Sequence, residues 1–501
     1  MVHLVSFDPD VEERVRFIEE TRPGDIVVRA LDRLEAGEDA RDLVVAAALA
    51  VSRSSELPAG HHGGPIHPVA GIHAVLSMMD RLDGEDSQLP AIQSVALACK
   101  HIHLPSMGPT AMVRFDDLNR NVSQERILER LADSVRVHEQ RLAERALTLA
   151  CETVSPGRIL DCLLPVALER NVLDDHYFLY LVYAMRALDR IGWQWGPVLL
   201  RPVVRYLARH APFSGFGEFD QQAIDDGIAF HHRLGELDAL MDTFGLTPDT
   251  VPLKTGPSET AAIGEFADRV GAVASIAELP GMVAEAMGGG LSLEGTCEAL
   301  SVGGARIFLR SHTANPFDVH IHTGISARRY VIGFPQVSFR SKCLALLGWA
   351  WSYEIRYLDS TLTWDWQGKE PAVIEPANVL LDRIEETILA IEGYDVTRLE
   401  VPINELVAQD AVRDVVDLAR AFVQAGYDTG ELFTLATRLA CREDASEMHG
   451  YKIQQAALEE YRFCRAPLNW VHAVAAVKQC SVTAPVNPKR FYPQYASRLA
   501  A

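Results

Sequence analysis

Apolar residues along this chain recur at three- and four-residue intervals, and few stretches alternate at every second position. Residues 130–152 carry Leu131, Val135, Leu142, Leu147 and Leu149 among charged neighbours, which predicts a helix. Residues 379–391, 411–425 and 453–461 read the same way. Neither a series of short alternating strands nor a regular strand–helix alternation appears, so the predicted fold class is all-α, predominantly helical. The longest apolar run, 43–51, falls well short of the roughly 18 residues a membrane span needs, and it predicts part of a buried helix.

Breaks in the pattern are rich in Gly, Pro and polar residues at 55–68, 213–220, 247–257, 287–291 and 315–324. Three consecutive glycines in 287–291 invite a phosphate-loop reading. No Gly-x-x-x-x-Gly-Lys follows and no strand clearly precedes, so that reading is set aside. No internal repeat is visible. The expectation is a single large domain over 1–501, with 212–262 as a variable insertion or loop region.

Composition narrows the function. Apolar residues make up 48% of the 501, enough for a sizeable core. The formal net charge of −21 repels phosphate backbones, so nucleic acid is not an expected partner. The N-terminus shows no basic region followed by an apolar stretch, so no secretory signal is expected. Eight cysteines are scattered without a Cys-x-x-Cys pair, which predicts reduced thiols in a cytoplasmic protein. No flavin or nicotinamide motif is present.

The seventeen histidines are clumped. His61, His62, His67 and His73 lie close together, His101 and His103 form a His-x-His, as do His320 and His322, and His231 is followed by His232. Imidazole is the commonest neutral metal ligand, so clumping raises the case for a metal centre. On a helix the two rings of a His-x-His diverge by about 200°, so one of each pair is expected to reach a common centre. In His449-Gly450-Tyr451-Lys452 the i, i+3 spacing puts His449 and Lys452 on one helix face. An inward lysine is costly to bury as an ammonium, and a neutral amine can add carbon dioxide to become a carbamate. Periodicity alone favours Lys452 reaching solvent or pairing with Glu447 or Glu459.

Four segments, in order, resemble the questin oxidase-like family. They are His61-His62-Gly63-Gly64-Pro65-Ile66; the stretch from Leu163-Leu164-Pro165 through Asp174-Asp175-His176-Tyr177-Phe178-Leu179 to Tyr183-Ala184-Met185-Arg186-Ala187-Leu188; Asp318-Val319-His320-Ile321-His322-Thr323-Gly324; and Glu447-Met448-His449-Gly450-Tyr451-Lys452-Ile453. The resemblance implies a largely helical fold around a non-haem iron, and oxygenation of aromatic polyketides, including Baeyer–Villiger-like and anthraquinone ring-cleaving reactions. In the ring-cleaving type, iron is held by four histidines and a carboxylated lysine. Carried over, those ligands are His62, His176, His322 and His449, with Lys452 as the carbamate and iron as Fe(II)/Fe(III). The first block has an extra glycine, which leaves His61 and His67 as competing ligands, and His320 competes with His322.

The resemblance implies a small aromatic substrate and dioxygen as partners. Arg329 and Tyr330, after the third block, are the candidate residues to orient a phenolate, alongside Arg328. Two other readings remain. A carbamate-lysine metal hydrolase would use His101 and His103, but it asks for strand–helix alternation that the chain lacks. A non-catalytic helical scaffold would make the clumped histidines incidental.

Overall fold

The structure is a computed structural model that describes residues 3–58, 63–171, 175–209, 234–311, 320–349, 374–395, 409–444, 446–487 and 489–500. Among these, twenty-two α-helices account for nearly all regular structure. The one sheet pairs Tyr394–Asp395 with Val486–Asn487 in parallel. One continuous buried apolar cluster runs from Val15 to Tyr495 and ties the helices together. No helix among the described residues is long and apolar enough to cross a membrane.

Local chemistry explains the helix boundaries. The 43–51 run sits inside Ala40–Ser54, which starts on an Asp39 side chain accepting from the Arg41 amide and is buried almost throughout. The triple glycine ends Leu279–Gly288, with Gly290 at φ +99, so it is a helix stop. The stretch 130–152 is two helices, Gln124–Arg136 and Gln140–Thr153. Between them His138 turns to φ 64, and its Nδ1 donates to the Arg209 carbonyl at 2.9 Å. The break shifts the helical phase, so Leu142 is 53% exposed while Leu131 and Leu147 are fully buried. Of the expected insertion 212–262, residues 212–233 lie outside the described residues. The remainder forms the helix Leu234–Thr243, a short connector and the start of Thr260–Gly271.

Four helices form the centre: His67–Met79, His176–Ile191, His320–Gly333 and His449–Phe463. The first packs on the second, the second on the third, the third on the fourth, and the fourth on the first, closing a square. All four point the same way. Their opening histidines meet at one end, and further along His73, Arg186, Ser326 and Glu459 meet again. Parallel alignment requires long returns, and the other helices provide them.

A buried ion pair fixes two of these helices. Asp175 stands at the N-cap of His176–Ile191, yet its carboxylate makes no cap bond. It accepts from Arg328 Nη1 at 2.7 Å and Nη2 at 3.1 Å, and from Asn171 Nδ2 at 2.5 Å. Arg328 also donates to the carbonyls of Ala345, Gly324 and Gly348, and its guanidinium stacks over Phe178 at 4.2 Å. A Cβ at position 324 would fall 2.7 Å from Asp175 Oδ2, so the pair needs glycine there. Both side chains are fully buried. Replacing Arg328 with Met leaves the carboxylate uncompensated and is expected to cost about 3–5 kcal/mol of stability. Urea unfolding measures this, and an unchanged midpoint would show that the pair carries no such weight.

Candidate metal centre

Each of the four central helices begins on a histidine, so four imidazoles are delivered from four backbones to one point. One nitrogen or more from each of His67, His176 and His449 lies within 4.8 Å of the others, and all three side chains are buried. Ring centroids stand 5.3 Å apart for His67–His176, 4.6 Å for His67–His449 and 5.7 Å for His176–His449. His320 joins them, 4.8 Å from His176 and 5.2 Å from His449. A metal–imidazole bond of about 2.0–2.1 Å sets each ring centroid roughly 3.2 Å from an ion, so neighbouring ligand rings stand about 4.5–5.2 Å apart. The observed spacings cluster around that range.

Lys452, one turn into the His449 helix, is buried with Nζ 3.2 Å from His67 Nδ1. The backbone ahead of this helix is constrained. Glu447 and Met448 both sit at positive φ, 52 and 71, and Ser446 is held by the Glu443 carboxylate through its amide and hydroxyl. That turn lets His449 Nδ1 donate to the Ser446 carbonyl at 2.6 Å, which leaves Nε2 as its ligand atom. Glu447 reaches back over the group. Its carboxylate pairs with Lys100 at 3.1 Å and stands 3.6 Å from His101 Nε2 and 3.8 Å from His67 Nε2.

The electrostatics keep two of the rings, His67 and His449, neutral. Burial, then the charge of Lys452, holds His67 and His449 well below the usual imidazole range. Burial also pulls His101 down to about 4, against the pull of Glu447. Four helix N-termini add positive potential at the same point. Neutral, buried, convergent imidazoles are a fitting donor set for a transition metal, and the positive surroundings call for an anion beside it.

The sequence-derived ligands are distributed as follows. His176, His449 and Lys452 are in the group. His62 lies outside the described residues, as does His61; among the described residues of that block, His67 reaches the centre. His322 does not face it. One residue pair along the helix from His320, it turns away and packs against Phe308 at 5.4 Å and His472 at 5.9 Å. The helical divergence of a His-x-His selects His320 for the centre. Arg329 and Tyr330 are also elsewhere. They sit nine and ten residues beyond His320, about 14 Å along the helix. Arg329 is paired with the buried carboxylate of Glu460 at 2.6 Å, and Tyr330 donates to Asp189 at 2.7 Å. Both line a separate cavity of about 710 Å³, together with Arg186, Ser326, Glu459 and Phe463.

Sequence reasoning gave His67 and His320 only as competitors, and it missed Tyr180, which stacks on His176 at 4.6 Å. Helix starts carried the missing signal. Pro65 and Pro68 flank His67, and proline is favoured in a first helical turn.

No family model matches the chain, and neither the characterised proteins nor the solved structures yield a match. The functional argument therefore rests on the geometry of the centre and the four sequence motifs.

The neighbouring pair His322 and His472 is fully buried, and burial pulls each down to about 3. An unfolded chain binds protons at these positions below about pH 6.5, where the folded one does not, so stability falls as pH drops from there towards 3. His472→Gln is expected to flatten that fall in urea titrations across the range. An equally steep fall in the variant would assign it to other groups.

Proposed function

We propose that this chain is a non-haem iron oxygenase acting on an aromatic, polyketide-type phenol or quinone with dioxygen. The observation that carries this reading is the meeting of His67, His176 and His449, with His320 beside them, at the starts of four parallel helices. The resemblance to the questin oxidase-like family supports the choice of iron and of an aromatic substrate.

In this reading His67, His176, His320 and His449 hold the metal, and Lys452 supplies an anion as a carbamate. The Lys452 ammonium first loses a proton, the neutral amine then adds to carbon dioxide so that an N–C bond forms as a C–O π bond breaks, and a second proton leaves. That change turns a positive group into a negative one where four helix N-termini and a dication require it. When bound, iron supplies the one-electron exchange that dioxygen needs to react with a closed-shell aromatic ring. The chain's own contribution is a dry, positively biased site, which favours a substrate bound as phenolate over its neutral form. Eight unpaired thiols, six of them buried, fit a reducing, cytoplasmic setting.

Metal analysis tests the reading on untagged parent protein and on His67→Ala, His176→Ala, His320→Ala, His322→Ala and His449→Ala. Near one iron per chain is expected in the parent, with loss in every variant except His322→Ala. Stoichiometric zinc would favour a carbamate-lysine hydrolase instead, and parent protein without metal would overturn the proposal. Lys452→Ala is expected to weaken metal binding, and retention at full affinity would remove the carbamate from the scheme.

A further inference from the structure

Tyr180 lies one helical turn beyond His176, so the two rings share a face of their helix and stack, 4.6 Å apart and 7° from parallel. The Tyr180 hydroxyl reaches across to His67, with Oη 3.1 Å from Nε2. Both side chains are buried. One phenol thus touches two of the four histidines of the centre, one through its face and the other through its oxygen.

The chain seals this contact. Gly63 stands at φ +68 directly over it, and a Cβ there would fall 2.0 Å from Tyr180 Oη and 2.2 Å from His67 Nε2. No side chain fits between the backbone and the hydrogen bond. Glycine at position 63 is therefore explained by the contact it covers, independently of the ring geometry.

The hydrogen-bond partners also fix which way round His67 works. Its ring is neutral, so one nitrogen donates and the other accepts. Lys452 Nζ lies 3.2 Å from Nδ1, and the nitrogen of an ammonium or of a carbamate only donates, so Nδ1 is the acceptor. Nε2 then carries the proton and donates to the Tyr180 oxygen, with the Glu447 carboxylate 3.8 Å beyond. The lone pair turned towards His449 and Lys452 is that of Nδ1.

We infer that Tyr180 is a positioning residue of the metal centre: it holds the His67 Nε2–H so that His67 binds metal through Nδ1, while His449 binds through Nε2. The inference rests on the metal-centre reading above and extends it to the ligand atoms and their support. Groups that hold the far nitrogen of a ligand imidazole set its orientation and donor strength, and their loss weakens metal binding by about 10–100-fold.

The test uses cobalt(II) titration of the parent and of Tyr180→Phe, together with a crystal structure of the zinc-loaded parent. Tyr180→Phe keeps the ring stacked on His176 and removes one oxygen, so its far-UV circular dichroism is expected to match the parent's, with its thermal midpoint without metal lowered only by the loss of one buried hydrogen bond. Its cobalt dissociation constant is expected to rise by about tenfold or more, and its visible cobalt bands are expected to shift, which loss of packing alone would not cause. The zinc structure is expected to show His67 bound through Nδ1. Equal cobalt affinity and identical bands in the two proteins, or zinc on His67 Nε2, would overturn the role of Tyr180 and leave the metal centre standing. Parent protein that takes up neither cobalt nor zinc would overturn both.

Discussion

Four imidazoles brought together away from water impose the constraint on which the rest of this structure depends. A protonated His67 or His449 would face Lys452, its neighbours and four positive helix ends, so these two rings stay neutral. A neutral imidazole must still satisfy the nitrogen that faces away from the centre, and it must do so from a fixed direction. That demand accounts for features otherwise hard to explain. The positive φ at Glu447 and Met448 puts the Ser446 carbonyl under His449, and the glycine at 63 lets Tyr180 meet His67. The bidentate Asp175–Arg328 pair gives up a helix cap to lock the His176 start against the His320 helix.

Parallel alignment of the four helices separates two kinds of polar chemistry. At the N-terminal end, neutral donors and one lysine gather. About ten residues further on, charged groups do, with Arg186 and His73 on Glu459 and Arg329 on Glu460. Burial alone would raise the Glu459 carboxyl, but Arg186 and His73 overcome it and hold it below the usual range. Guanidinium groups in the later turns sit where helix dipoles favour cations. The cavity between these pairs and Tyr330 thus belongs to a charged layer of the bundle, distinct from the imidazole layer.

Much of the architecture was legible in the sequence. Helical spacing of apolar residues gave the all-α class, and 379–391 and 411–425 coincide closely with Ala377–Ala390 and Gln409–Gln424. Apolar spacing says nothing of a phase break, so the turn at His138 split one expected helix and stranded Leu142 on the surface. At the centre, His176, His449 and Lys452 came from the motif resemblance, because periodicity alone left Lys452 free to reach solvent or to pair with Glu447 or Glu459. His320 and His322 left a choice of face, and only packing against Phe308 and His472 decides which ring turns inward. Arg329 and Tyr330 follow the third motif closely along the chain, but a helix carries sequence neighbours away from a site that lies at its start.

The four histidines are separated from one another by more than a hundred residues each along the chain. No local segment holds two of them, so no fragment limited to one of the four helices can assemble the group. The binding energy of any ligand held by all four would be available solely to a molecule folded from the first of these helices to the last. Such a ligand would stabilise the joined bundle and none of its separate helices.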